Sequence, residues 1–458
     1  GDYDRYDPSD NNFNCSGLVN PDRVPSPQMY EVVYFYQNIW VTPVNVIQGR
    51  ISVFNEHFFR SLDNVRMDWS LIRNGEIVRE GTIEELNCAP QQSTMLTLPM
   101  DDVAKEKEGE LFLNIDFKLR NAEPLMEAGQ TIAFQQLVVR ETTAEGNLPK
   151  GNLPSLKVKE NKQDSLLTVS NDVVNICFNK QTGYMVDYTI DGQSFLGEGG
   201  VLRPNFWRAM TDNEMGARFH QTSKVWKNPI LTLISFQAEK VRKPSPCVEV
   251  TAVYDMPEVN AQLTLTYQIR GDGTIKVVEK MKTEASSKQP LLPRFGMVMQ
   301  LPYDMDYSTF YGRGPIENYS DRKHSQRIGI YGQTADEQFF PYVRPQETGL
   351  KSDIRWWNQT TKAGKGIHIE SSTPFYASAL HYAIEDLDEP GKQKGQRHAA
   401  QVPQSRFTNL CIDGAHSGVG GVNSWGMWGL ALPAYQLPYE DRTFTFLITS
   451  QPRYQPNR

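Results

Sequence analysis

The stretch Leu263-Thr264-Leu265-Thr266-Tyr267-Gln268-Ile269, followed by Gly271-Asp272-Gly273 and then Ile275 and Val277, decides the fold class. Leu263, Leu265, Tyr267 and Ile269 face one way and Thr264, Thr266 and Gln268 the other, the period of two of a half-buried strand. Gly271-Asp272-Gly273 turns the chain, and Ile275 and Val277 bring it back. The same alternation recurs outward in both directions. It closes the chain at Phe444, Phe446 and Ile448 against Thr443, Thr445 and Thr449, and it occurs earlier at Ile51 and Val53 and at Leu111, Leu113, Ile115 and Phe117. Trp69 and Leu71 lead to Asn74-Gly75 and then Ile77, and Asn-Gly between such runs is the strongest short hairpin signal. The best helical periodicity follows Val24-Pro25-Ser26-Pro27. Ser26 suits the N-cap, Pro27 the first helical position, and Met29, Val32, Val33 and Tyr36 recur at spacings of three to four.

Composition bounds the rest. The chain has 458 residues, with 39% hydrophobic and 22% charged residues, enough apolar mass for packed cores. Lys and Arg number 47 against 54 Asp and Glu, a net charge of −7. A mildly acidic chain with no long basic run is not built to bind nucleic acid. No stretch approaches the roughly 20 apolar residues of a membrane-spanning helix. The polar start Gly1-Asp2-Tyr3-Asp4 does not read as a signal peptide. Localisation stays open between bacterial cytoplasm and periplasm. Five scattered cysteines (Cys15, Cys88, Cys177, Cys247, Cys411) contain no C-x-x-C, and they read as mostly buried thiols. Residues 141–164 are polar and aperiodic, and Gly146-Asn147-Leu148-Pro149 echoes as Gly151-Asn152-Leu153-Pro154, the mark of a linker. The organisation expected is a helix-ended leader (1–39), a sandwich (40–140), the linker (141–164) and a strand-rich domain (165–458). At nearly 300 residues the last exceeds a simple sandwich and calls for a large two-sheet assembly.

Catalytic patterns are sparse. Asn55-Glu56 imitates the Asn-Glu that carries the acid in many sugar hydrolases, but it sits in a strand pattern with no barrel repeat around it and reads as a surface glutamate. The seven histidines show no H-x-x-x-H pairing, and no G-x-S-x-G elbow is present. Three segments stand out instead: Trp207 to Gly216, Tyr311 to Arg322, and Asp413 to Gly426. The last sets four glycines before Trp425 in a turn-rich loop. Glycines permit close approach, and an indole so carried can offer its flat face to the apolar side of a sugar ring. The competing reading is a tryptophan that caps a sandwich edge.

In this order and spacing the three segments resemble the C-terminal part of the family 2 glycoside hydrolases, the large bacterial β-galactosidases of the lactose-operon type. Asp7 to Phe13, Gly17-Leu18-Val19 and Asp22-Arg23 resemble the end of the catalytic (β/α)8 barrel. Phe58-Phe59-Arg60, Asp63-Asn64 and Glu127-Ala128-Gly129 resemble the fourth domain. Arg208 to Gly216, Gly314-Pro315, Glu317-Asn318-Tyr319, Asp321-Arg322, Pro341-Tyr342-Val343, Pro345-Gln346-Glu347 and the tryptophan loop resemble the fifth. The resemblance implies a mainly β fold: a short barrel remnant, an immunoglobulin-like β-sandwich, and a large β-supersandwich of the galactose mutarotase type. It also implies that both catalytic glutamates and the main magnesium ligands lie upstream of Gly1, so that this chain alone is inactive. Trp425 would stack on the galactoside, Gly216 would hinge a mobile loop, and Arg208, Asp212, Asn213, Asn423 and Ser424 would support the loops. Phe13 matches the aromatic residue whose carbonyl binds sodium in the best-known members. These read Phe-Cys-Met-Asn-Gly, where this chain has Phe13-Asn14-Cys15-Ser16-Gly17, so Ser16 puts a hydroxyl in place of an amide ligand. The partners implied are a β-galactoside or other carbohydrate, the upstream domains of the same polypeptide, and a homo-oligomer. Two other readings remain open at this level. One is a stand-alone carbohydrate-binding module. The other is an aldose 1-epimerase using His324 or His368 with Glu317 or Glu347.

Overall fold

The computed structural model describes residues 15, 17–100, 108–141, 153–161, 165–242, 245–284, 286–388, 398–424 and 426–450. They form two units, each with its own hydrophobic core.

The smaller unit spans residues 18–143 together with 324–330. Its helix α1 (Pro27–Phe35) begins as the sequence predicts, with Pro27 in the first turn and Ser26 extended before it. The Ser26 hydroxyl donates to the Leu18 carbonyl at 3.0 Å and does not cap the helix. Seven strands follow: β1 (Ile39–Asn45), β2 (Arg50–Asn55), β3 (Val65–Arg73), β4 (Glu76–Ile83), β5 (Ser93–Thr97), β6 (Leu111–Leu119) and β7 (Thr131–Arg140). They pair as antiparallel sheets β1-β2-β5 and β4-β3-β6-β7, the three-plus-four division of an immunoglobulin-like sandwich. Asn74 (φ +48°) and Gly75 (φ +93°) make the β3–β4 hairpin; both are left-handed, as a type I′ turn requires. Ile51, Val53, Met67, Trp69, Leu113, Ile115 and Phe117 alternate inward and build the core.

Helix α1 groups with the sandwich, and so does the segment 324–330 from much later in the chain. Specific polar bonds within this unit hold that segment. The Glu31 carboxylate accepts the N–H groups of His324 at 2.9 Å and Ser325 at 3.0 Å. Arg327 grips both oxygens of Asp116 at 2.7 and 3.0 Å, and the Ile328 N–H donates to Gln136 at 2.8 Å. Pairings about 200 to 300 residues apart leave no periodic trace in sequence.

The larger unit contains β8 (Lys157–Asn161), β9 (Leu166–Ser170), β10 (Val174–Asn179), β11 (Met185–Ile190), β12 (Gln193–Ser194), β13 (Leu202–Asn205), helix α2 (Asp212–Gly216), β14 (Thr232–Val241), β15 (Cys247–Met256), β16 (Ala261–Ile269), β17 (Ile275–Thr283), β18 (Arg294–Pro302), β19 (Tyr307–Gly314), the end of β20 (Arg327–Thr334), β21 (Lys351–Thr360), β22 (Gly366–Leu380), β23 (Phe407–His416) and β24 (Arg442–Thr449). The pairing is antiparallel, mostly between chain neighbours. The chain-end strand β24 returns to β17 and β22, and β23 to β18, so the sheet closes on itself. In β16, Leu263, Leu265, Tyr267 and Ile269 are fully buried while Thr264, Thr266 and Gln268 are half-buried, the alternation read from sequence. Strand β8 falls inside the stretch expected as linker. It pairs with β9 and packs Val158 on the core beside buried Leu156, but its flanking lysines and Glu160 hide the pattern. Trp357 is buried in the core and stacks on Phe310 at 4.9 Å. Cys88, Cys177, Cys247 and Cys411 are thiols without disulfide partners. No helix among the described residues is long and apolar enough to cross a membrane.

Candidate functional site

The glycine-rich loop after β23 is the place to begin, because three segments distant in sequence converge on it. The first starts from a local signal. Thr211-Asp212-Asn213-Glu214 is a capping box. The Thr211 hydroxyl oxygen accepts the Glu214 N–H at 3.3 Å, and one Glu214 oxygen accepts the Thr211 N–H at 3.0 Å. The other Glu214 oxygen faces Arg208 Nη2 at 2.7 Å, with both side chains buried. The same Nη2 donates to the Gly418 carbonyl at 2.9 Å. A helix cap thus fixes an arginine that fixes the loop.

The second anchor is Asp321, whose carboxylate accepts the N–H of Val419 at 3.1 Å and of Gly420 at 2.8 Å. The third is Asn213, whose side-chain oxygen accepts the Ser424 hydroxyl at 2.9 Å. The glycines are there for room. A Cβ on Gly418 would lie 2.4 Å from Asp321 Oδ2, and one on Gly429 would lie 2.4 Å from the Asn213 carbonyl. Beyond the loop a 3₁₀ turn runs over Gly426–Gly429, and its Trp428 carbonyl accepts the N–H groups of Val422 at 2.9 Å and Asn423 at 3.2 Å.

Beneath the loop lies a buried charged layer. Arg294 pairs with Asp413 at 2.5 Å, both fully buried. Burial pushes the Asp413 carboxyl up to about 6 even against Arg294. Glu347 is pushed up to about 7 by burial, opposed by Arg294 and Arg208. His416 lies 3.8 Å from Glu347, and its Nδ1 donates to the Ser417 carbonyl at 2.8 Å. Burial and the nearby Arg208 and Arg294 hold it well below its ordinary value, hence neutral. Arg294, Glu347, Ser378, Asn409 and Cys411 line a cavity of about 20 Å³, room for one water. That volume is too small for a sugar ring. Glu317 is likewise engaged, accepting from Arg322, Tyr342, Thr348 and the Gly349 N–H. The bonds from Arg208, Asp321 and Asn213 hold the loop in place.

The residues singled out from sequence are distributed as follows. Arg208, Asn213, Asn423 and Ser424 meet at the loop by the bonds above. Asp212 stands one residue away, bonded to Arg344 Nε at 2.5 Å and to Gln346 at 3.3 Å. Gly216 is the exposed last residue of α2; the left-handed residue there is Arg218 (φ +58°), two positions on. Trp425, Phe13 and Ser16 lie outside the described residues, and with them the sodium ligands expected. Glu56 is exposed and accepts the Trp40 indole N–H at 2.7 Å, an ordinary surface bond. The histidines considered for epimerase chemistry face other groups. His324 bonds Glu31, and His368 bonds Asn358 at 2.7 Å and Glu370 at 3.5 Å; the histidine beside Glu347 is His416. Sequence reading did not single out Asp321 as a loop anchor or Trp428 as an exposed indole. The capping box was a legible signal for Glu214. Nothing local ties Asp321 to a loop 98 residues away.

Comparison with known proteins adds an independent line. Residues 170–448 match the family described as β-galactosidase small chain, and residues 51–140 match β-galactosidase domain 4. The chain is 31% identical over 455 residues to a β-galactosidase of Priestia megaterium, covering 97% of this chain and 41% of that protein. It is 30% identical to the β-galactosidase BgaC of Bifidobacterium adolescentis, covering 94% of this chain and 40% of that protein. The chain thus spans about two fifths of the length of these curated relatives. Among solved structures, a mutarotase-like protein of Salmonella typhimurium aligns over 64% of this chain and 96% of its own at 11% identity, with a TM-score of 0.34. Galactose 1-epimerase of Lactobacillus acidophilus aligns over 65% of this chain and 98% of its own at 9% identity, with a TM-score of 0.32. Likenesses at that level carry no argument about activity.

Proposed function

The chain belongs to the β-galactosidase small-chain family, and from that premise we propose that it forms the non-catalytic C-terminal part of a retaining family 2 β-galactosidase that hydrolyses terminal β-D-galactosides. Both catalytic glutamates belong to the upstream part of the same polypeptide, as does the magnesium site. There one glutamate forms the galactosyl-enzyme intermediate while the other serves as acid and then base. This chain completes the pocket by holding the loop that carries Trp425, whose indole lies against the sugar. The stretch from Gly216 onward is the segment that moves over bound galactoside.

The observation that supports this most directly is the convergence of Arg208, Asp321 and Asn213 on Gly418, Val419, Gly420 and Ser424. Two of these anchors are charged groups, and fixing a backbone so firmly suits a loop that must meet a ligand in one geometry. The purified chain alone is expected to release no chromophore from a chromogenic β-galactoside. In the full-length enzyme, Trp425→Ala is expected to raise KM about fivefold, the loss of an aromatic contact of roughly 1 kcal/mol, with the chemical step intact. Turnover by the isolated chain, or unchanged kinetics in the variant, would refute the reading.

A further inference from the structure

His416 ends β23 and Ser417 begins the loop, with Glu347 beside them. Their exposures are 2%, 5% and 7%, so the pairing of these groups is set inside the unit. A neutral imidazole carries one N–H and one lone pair. The partner of Nδ1 is the Ser417 carbonyl at 2.8 Å, and a carbonyl only accepts, so the ring proton sits on Nδ1. Nε2 is then a bare acceptor. It is buried, has no hydrogen-bond partner, and faces Glu347 Oε1 at 3.8 Å. A carboxylate there sets acceptor against acceptor. A carboxylic acid supplies the missing proton, and a small rotation closes the gap to a hydrogen bond. Around Glu347, Arg208 before α2 and Arg294 on β18 favour its ionisation, while Asp413 on β23 and Glu317 after β19 oppose it. The same two arginines keep the imidazole from taking a second proton. Cys411 on β23, Tyr319 after β19 and Tyr376 on β22 complete the surroundings, and burial raises all three, so they stay protonated near neutrality.

We infer that His416 is a proton-linked tautomer switch at the root of the loop. With Glu347 protonated, its O–H serves Nε2 and the Nδ1–H holds Ser417. When Glu347 gives its proton to solvent, the imidazole stays neutral and its one proton moves from Nδ1 to Nε2. There it donates to the new carboxylate, and the Ser417 carbonyl loses its donor. The exchange is favoured because a bond to an ionised acceptor is roughly twice as strong as one to a neutral carbonyl. Burial puts the changeover near neutrality, since the Glu347 carboxyl is pushed up to about 7. The loop root is held firmly below that pH and more loosely above it. The switch goes beyond the proposed function and does not depend on which ligand the loop meets.

The test is hydrogen exchange over residues 417–424 in the full-length protein, read by mass spectrometry at pH 6 and pH 8.5. Rates are corrected for the intrinsic pH dependence of amide exchange, and β16 is the internal control. Corrected exchange in the loop is expected to be about fivefold faster at the higher pH, the loss of one net hydrogen bond. Strand β16 should not change. Glu347→Gln carries an amide N–H that serves Nε2 at every pH, so its loop should be equally protected at both. Equal protection of the wild-type loop at the two pH values overturns the switch without any variant. A pH response that survives Glu347→Gln also overturns it. Either result leaves the proposed function standing, because the measurement uses no substrate.

Discussion

Burial holds the Glu347 carboxyl at about 7 against the attraction of Arg294 and Arg208. The consequence for stability has a definite sign. An acid whose pKa is raised on folding keeps its proton in the native state over a range where the unfolded chain has lost it. Stability is therefore highest below the unfolded value, falls as pH rises toward 7, and is level above that. At 1.36 kcal/mol per unit the loss from this one group is about 3 kcal/mol. Asp413, raised to about 6, acts in the same sense. Glu347→Gln keeps the shape and removes the charge. The variant is expected to match the wild type near pH 4 and to exceed it at pH 8, as read by urea unfolding at each pH. A difference that does not grow with pH would assign the effect to another group. Sequence reading reached Glu347 as part of a motif but could not tell a buried structural carboxyl from a catalytic one. Packing alone sets that distinction.

At the scale of elements, the loop after β23 depends on close approach to α2. The Gly429 position leaves no room toward the Asn213 carbonyl, and a backbone atom cannot swing aside as a side chain can. Gly429→Ala must displace either the loop or the helix. It is expected to cost about 1–3 kcal/mol, the usual range for overpacking, measurable by denaturation of the chain. An unchanged stability would mean that the loop shifts freely and is not fixed as described. The capping box of Thr211 to Glu214 is a local pattern, since both partners lie within one helical turn, but the sequence reading took this segment only as a motif. The glycine-rich segment was legible as a loop. Its anchors were not, since Arg208 and Asp321 reach it across 210 and 98 residues.

Across the whole molecule, the segment 324–330 joins the sandwich through groups that no local pattern announces. Burial tends to raise the Glu31 carboxyl, but hydrogen bonds from His324 and Ser325 outweigh it and lower the pKa to about 2. Here the sign reverses. A depressed carboxyl contributes stability that is full above its unfolded value and lost as pH falls from about 4.3 toward 2. Allowing for solvent screening of a partly exposed group, that contribution is about 1–2 kcal/mol. Glu31→Gln is expected to destabilise the chain by that amount at pH 7 and to reduce the steepness of acid unfolding. Identical acid transitions in variant and wild type would show that the helix is held by other contacts.

The strands named at the outset were determined by sequence alone. A period of two places every second residue on one face whatever lies beyond, so Leu263 to Val277, Asn74-Gly75 and Phe444 to Ile448 declared themselves. The order of motifs likewise carried the family, and residues 170–448 match it. Tertiary structure decided what proximity decides. It grouped residues 324–330 with the sandwich, drew β8 out of an apparent linker, and buried Glu347 in the wall of a one-water cavity. Those outcomes depend on desolvation and on hydrogen bonds between residues far apart in the chain, and neither leaves a period in the sequence.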